Sequence, residues 1–329
     1  MWICIRLSSF VTLHALKIAS MKKTLFLYSC ILSFPFAFGQ TTETDSTGTL
    51  ETTETTEVTA GEPIETFVST RIINGHSVET LSKKRFEFRI EHRFGDFAGS
   101  NGGVQNWFGF DNASDIRFAF EYGVTDKLMV GLGRSKGTGN PYRSLVDGFV
   151  KYRVLRQQQH GMPISLAVLG TSTVTYMKAS PDISQVSHFP KFEHRLAYSA
   201  QVNVARKIGS RLSLALMPTF VYRNYVPADD VNALFAIGGA LRYSLKPTMA
   251  FVVEYYQTLH ESGIRTTNTN SLGVAFEWNT FGHNFTINLT NSKGFGETQF
   301  IPYTYEDWLK GQFRLGFTIS RAFYLKEKE

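Results

Sequence analysis

From residue 84 onward the chain alternates. In Lys84-Arg85-Phe86-Glu87-Phe88-Arg89-Ile90-Glu91-His92-Arg93-Phe94 every second residue from Phe86 is apolar, apart from His92, and every residue between is charged. Period 2 predicts a strand with one apolar and one charged face. The alternation returns, with turns between, in segments 114–122, 127–135, 145–155, 163–176, 192–206, 211–223, 231–244, 248–258, 270–279, 283–292 and 311–324. Typical outward sets are Ile116, Phe118, Phe120 and Tyr122, then Met249, Phe251, Val253 and Tyr255. Small or polar residues stand between them, such as Gly131 and Gly133, Gly238 and Ala240, or Gly273 and Ala275.

The connections add a second regularity. Those after odd-numbered strands are mostly long, and those after even-numbered strands are short, as at Gly123-Val124-Thr125-Asp126, Ile208-Gly209-Ser210 and Lys246-Pro247. A soluble β-sandwich explains the alternation but not this rhythm or the outward aromatics. The pattern predicts an all-β fold: a transmembrane antiparallel β-barrel of about 12 strands in an outer membrane, apolar side to lipid, both chain ends periplasmic.

The first 83 residues read differently. Met21-Lys22-Lys23, the apolar run from Thr24 to Phe36, and Ala37-Phe38-Gly39 before Gln40 form a secretory signal, with Met21 as the expected start. A lipobox at Leu27-Tyr28-Ser29-Cys30 is disfavoured, because Tyr28 is bulky and the apolar run continues past Cys30. Thr41 to Thr59 is almost wholly Thr, Glu, Ser and Asp and has too little apolar surface to fold. The expected organisation is leader 1–39, disordered periplasmic linker 40–65, a periplasmic segment 66–83 leading into the barrel, and barrel 84–325. Within 66–83, Phe67 to Ile73 has strand character and Asn74-Gly75 signals a turn, so it either crosses the barrel mouth or pairs inside it.

Composition narrows the function classes. Aromatics make up 14% of the chain, which suits two interfacial girdles. Both cysteines, Cys4 and Cys30, lie in the leader, which excludes disulfides and thiolate chemistry from a mature chain. The leader also holds four bases and no acid, so the net charge falls from +6 to +2 without it, and a nucleic-acid partner loses its support. No cofactor motif is present: Gly131-Leu132-Gly133 opens no helix, and His188 and His194 have no ligand set at metal spacing.

Several stretches resemble an uncharacterised β-barrel family of Bacteroidetes outer membranes. They are Ile73-Asn74, Glu79-Thr80, Phe88 to Gly95, Phe108-Gly109-Phe110-Asp111, Tyr122 to Asp126, Val130 to Ser135 and Lys151-Tyr152-Arg153. The resemblance spans roughly residues 66–324 and is strongest in the first four strands. It implies location and fold, and supplies no activity or site residues. An outer-membrane barrel has lipid and the barrel-assembly machinery as its expected partners; if that machinery reads a terminal aromatic, Phe323 or Tyr324 has to serve.

The candidate site is the ionic inner face: Glu87, Arg89, Glu91, Arg93, Arg117, Glu121, Lys151 and Arg153, continued by Arg195, Arg242, Glu254, Glu277 and Arg314. Two readings stay open. A salt-bridge network fills a narrow barrel, or an open lumen with excess Arg and Lys passes small anionic solutes. The small inward residues of strands three, eight and ten leave room for such a lumen. A lipid-modifying enzyme ranks behind both: His260-Glu261-Ser262 is the only His-x-Ser, and nothing fixes an Asn beside it. The loop aromatics Trp107, Phe108, Tyr303, Tyr305 and Trp308 are expected to form an outer belt and pack within their loops.

Overall fold

The computed structural model describes residues 61–112, 115–137, 142–261 and 263–324. The leader, linker residues 40–60 and the charged tail lie outside the described residues. The strands are β1 (Arg85–Asp96), β2 (Asp115–Gly123), β3 (Leu128–Lys136), β4 (Leu145–Leu155), β5 (Ser165–Thr175) and β6 (Leu196–Ile208). They continue as β7 (Leu212–Arg223), β8 (Ala233–Lys246), β9 (Met249–Leu259), β10 (Ser271–Thr280), β11 (His283–Thr290) and β12 (Arg314–Tyr324). Each pairs antiparallel with its sequence neighbour, and β1 pairs with β12, so the sheet closes into a barrel. Closure leaves no unpaired edge, the condition for a sheet in lipid.

Alternation sets the two faces. Leu132, Phe235, Phe251 and Ile287, on four different strands, are 52–59% exposed on the outer face, an arrangement that suits lipid and not water. Tyr152, Tyr243, Trp278 and Phe323 ring the short-turn end, and Tyr176, Tyr198, Tyr222 and Tyr255 ring the long-loop end. These are the two girdles. His92, the exception in the alternation, keeps the outward register and stacks on Phe317 with ring centroids 5.3 Å apart. One defect interrupts the wall: Pro218 has no N–H to give, and the β6–β7 ladder skips from Gln201↔Thr219 to Val204↔Leu216.

The interior is filled from both ends. Residues 66–83 are a plug and not merely a periplasmic lead-in. They form no named strand, correcting the strand character expected at Phe67 to Ile73; they enter at the short-turn mouth, turn at Ile73-Asn74-Gly75 and return to the same mouth. At one limb Ile64 donates its N–H to the Gln157 carbonyl (2.8 Å); at the other Lys83 donates to Asp126 (2.9 Å). From the opposite side the β11–β12 connection folds inward and carries the one-turn helix α1 (Glu297–Phe300), buried throughout. No helix among the described residues is long and apolar enough to cross a membrane.

Candidate functional site

All eight residues of the expected charge ladder lie on the lumen face and are buried. Cross-strand register brings Glu91 opposite Arg117, and Glu87 opposite Glu121. Arg117 holds Glu91 with one arm and Asp147 with the other, the latter through two bonds of 2.6 and 3.0 Å. Arg89 sits 2.6 Å from Glu87 and 3.6 Å from Glu121, so it separates two carboxylates that would repel.

The remaining ladder charges engage the plug, Lys151 through its backbone and Glu121, Arg153 and Arg93 through its side chains. Lys151 Nζ donates to the carbonyls of Thr70 (2.8 Å), Ser77 (3.2 Å) and Glu79 (2.8 Å), which uses all three ammonium protons. Glu121 accepts the Thr70 hydroxyl at 2.6 Å. Arg153 lies 3.3 Å from Glu79, which also clamps the two plug limbs by accepting the Thr66 N–H at 2.9 Å. Arg93 donates to Asn74 Oδ1 and to the carbonyls of Ser292 and Gly294, and its guanidinium lies 4.5 Å from the Phe295 ring centroid.

The plug apex is held by Glu254 of β9. Its carboxylate accepts three successive backbone N–H groups, from Ile73 (3.1 Å), Asn74 (2.8 Å) and Gly75 (3.1 Å). Such a concave run of amides is an anion nest. Gly75 is required by close approach: a Cβ there would stand 2.0 Å from the Tyr256 hydroxyl. Arg71 lies at the centre, 3.5 Å from Glu91 and 3.1 Å from the His76 Nε2, and donates to the carbonyls of Asn74 and Phe295. The last of these bonds ties the plug to the inward loop.

The expected free space is therefore occupied. The gap at Gly131 is taken by the Phe149 ring, that at Gly133 by Arg117, that at Gly238 by Tyr256 and that at Gly273 by Ile73 of the plug. Small wall residues accommodate large inner ones at these four positions. Recesses lie toward the mouths: about 500 Å³ at the long-loop mouth and about 420 and 230 Å³ at the short-turn mouth.

Above α1, charged residues pin the outer loops. Asp230 receives Arg223 at 2.7 Å and also Arg265 from the β9–β10 loop. Burial alone would raise the Asp230 carboxyl, but hydrogen bonds and charge from Arg223 and Arg265 hold it below the usual carboxylate range. Glu306 follows the same logic: burial opposes ionisation, yet Lys293 (2.6 Å) and Arg314 (3.2 Å) keep its carboxyl low.

Of the loop aromatics, Trp107 is exposed and Trp308 stacks on Phe313, as loop packing predicts. Tyr303 departs from the expectation. It is buried against Tyr142, with the Arg223 guanidinium over its ring, because the loop carrying it turns inward. His188 is held on the Ser180 carbonyl and His194 stacks on Tyr225. His260 lies 3.0 Å from the Glu261 carbonyl, and Ser262 is outside the described residues. Sequence reasoning named Glu254 among the inner charges but missed its amide partners, and it missed Arg71, Glu79 and Asp147. Arg71 and Glu79 had a signal, as charges in a segment otherwise read as a lead-in.

A closed twelve-stranded wall with an apolar belt, two aromatic girdles and an ionic interior defines an integral β-barrel of the outer membrane. Residues 67–323 match the family model described as membrane bound beta barrel domain (DUF5777), and the chain belongs to that family. Among solved structures the chain is similar to the NanC porin, at 8% identity and TM-score 0.43, covering 73% of this chain and 100% of that one. It is similar to the KdgM porin in complex with disordered oligogalacturonate, at 8% identity and TM-score 0.44, covering 73% and 99%. A further likeness is to the COG4313 outer membrane channel from Pseudomonas putida F1, at 14% identity and TM-score 0.41, covering 75% and 98%. No curated protein sequence matches the chain.

Proposed function

We propose that the barrel is a channel for small polar solutes, closed at rest by its own N-terminal plug. The observation that carries this reading is the chemistry of the contact between plug and wall. Glu254 and Lys151 are satisfied by backbone amides and carbonyls of the plug, not by fixed counter-charges. Water supplies equivalent partners as soon as the plug shifts, so the vacated wall becomes a hydrated ionic lumen. A barrel meant to stay filled has no need of such an interface, since apolar packing serves as well or better. The reading includes no catalytic role. It also carries the implied host, a Gram-negative bacterium of the Bacteroidetes.

Conductance in planar bilayers tests it. A Cβ at Gly273 would lie 3.0 Å from Ile73 Cγ2, which suits a disulfide between Ile73→Cys and Gly273→Cys. The oxidised double variant is expected to stay closed, and the reduced one to show openings. Deletion of residues 66–81 is expected to give steady conductance. A second reading is favoured by the filling from both sides: a plugged barrel that serves as a structural or partner-binding element. Silence of the deletion variant, with its barrel folded, would establish that reading instead. Lipid hydrolysis lost in Ser262→Ala would overturn the non-catalytic part.

A further inference from the structure

The recess of about 420 Å³ at the short-turn mouth lies between the plug limb at Glu65 to Val68 and the β6–β7 and β8–β9 hairpins. Its wall carries Lys207, Arg211, Arg242 and Lys246 against a single carboxylate, Glu65. Register places Lys207, Arg211 and Arg242 on the lumen face. Lys207 stands opposite Ser213, and Ser213 opposite Arg242, while Arg211 keeps the same parity two residues from Ser213; Lys246 lies past a bulge that follows Ser244 and lines the recess from the end of β8. The outward neighbours Ile208 and Tyr243 are apolar.

Arg242 is neutralised by Glu277 at 2.8 Å. Among the described residues, Lys207, Arg211 and Lys246 form no ion pair. The long-loop mouth differs: Asp96, Asp115 and Glu306 there balance Arg143, Lys293 and Arg314. The cationic excess is thus confined to one mouth, in a concave wall that focuses its field. Arginine and lysine converging on a cavity of this size match the oxygens of carboxylates and phosphates.

We propose that this recess is an oxyanion-binding site for a small solute bearing several carboxylate or phosphate groups. Such a solute satisfies the three unpaired cations together, which a halide cannot. The site exists in the closed barrel, so the proposal stands whether or not the plug moves.

The test is calorimetric titration of the intact protein in nonionic detergent, with citrate and inorganic phosphate as probes. Saturable binding of citrate is expected, tighter than phosphate and weakened by salt. The triple variant Lys207→Gln, Arg211→Gln, Lys246→Gln should bind at least tenfold more weakly. Glu65→Gln removes the one opposing charge and should bind a few-fold more tightly. Lys310→Gln, in the β11–β12 loop, should change nothing. Nanodiscs separate a free solute from a lipid headgroup. Equal citrate affinity in phosphatidylcholine and phosphatidylglycerol assigns the site to solute, whereas loss of citrate binding in phosphatidylglycerol assigns it to the headgroup phosphate. No saturable binding by the native protein, or equal binding by the triple variant, overturns the site.

Discussion

Glu254 and Asn74 are 180 residues apart in the chain, yet the carboxylate accepts the Asn74 N–H at 2.8 Å. With the flanking Ile73 and Gly75 amides, this contact fixes the plug apex. Glu254→Ala leaves three buried donors without their acceptor. It is expected to loosen the plug, lowering the temperature of heat-modifiable gel migration and introducing brief openings in bilayers. The scale is that of a broken buried charged contact, roughly 3–5 kcal/mol. Unchanged migration and silence in bilayers would show that the nest does not hold the plug.

Arg89 and Arg93 separate selectivity from cohesion. Arg89 bonds Glu87 and the plug hydroxyls of Ser69 and Thr70; Arg93 bonds Asn74 and the inward loop. Arg89→Gln with Arg93→Gln therefore strands Glu87 and Glu121. The barrel is expected to lose thermal stability and to leak. A change in ion preference at full stability would instead indicate a lumen these side chains only line.

Gly238 is a steric prediction. A Cβ there would stand 2.5 Å from Tyr256 Cε1, and Tyr256 is packed on Phe300 of α1 at 4.9 Å. Gly238→Ala is expected to cost about 1–3 kcal/mol by overpacking. Denaturant titration of the purified barrel reads it, and Gly239→Ala, whose Cβ meets nothing within 4 Å, is the control.

Acid should release the outer loops before the wall. The Asp230 carboxyl is depressed when folded, so the stability it contributes is full above its unfolded value of about 4 and is lost as pH falls through the lower folded one. The protection of residues 224–232 and 260–270 against hydrogen exchange, relative to their intrinsic rates, is expected to fall below about pH 4. In Asp230→Asn it should already be low at neutral pH. Protection independent of pH in the native chain would remove Asp230 as the fastening.

Orientation follows from loop length. Cysteines at the exposed positions Ser100, Ser184 and Thr267 should label from outside intact cells, and one at Ser210 should not. The reverse pattern would invert the barrel.

The wall was legible because each of its rules is written in side chains. Alternation places Phe86 outward and Glu87 inward, and turn residues such as Gly209 separate the strands; all twelve appear within a few residues of their expected limits. The filling was not legible for the opposite reason. Glu254 and Lys151 are met by backbone amides and carbonyls, which every residue possesses and no sequence displays. The glycines at 131, 238 and 273 look alike whether the space above them holds water or a ring. The inward loop did carry a signal in Phe295, Phe300 and Ile301, apolar residues spaced through a connection otherwise read as external.

The two limbs of the plug leave by one mouth, beside the β4–β5 turn at Gln157 and the β2–β3 turn at Asp126. A cord that goes in and comes back through the same opening is not linked to the ring around it. It needs no free end to be threaded, and no strand pair, the β1–β12 seam included, must part to let it pass. Seam closure and filling therefore have no obligatory order during assembly. A folded ring inserted empty and a ring closed around its cord reach the same molecule.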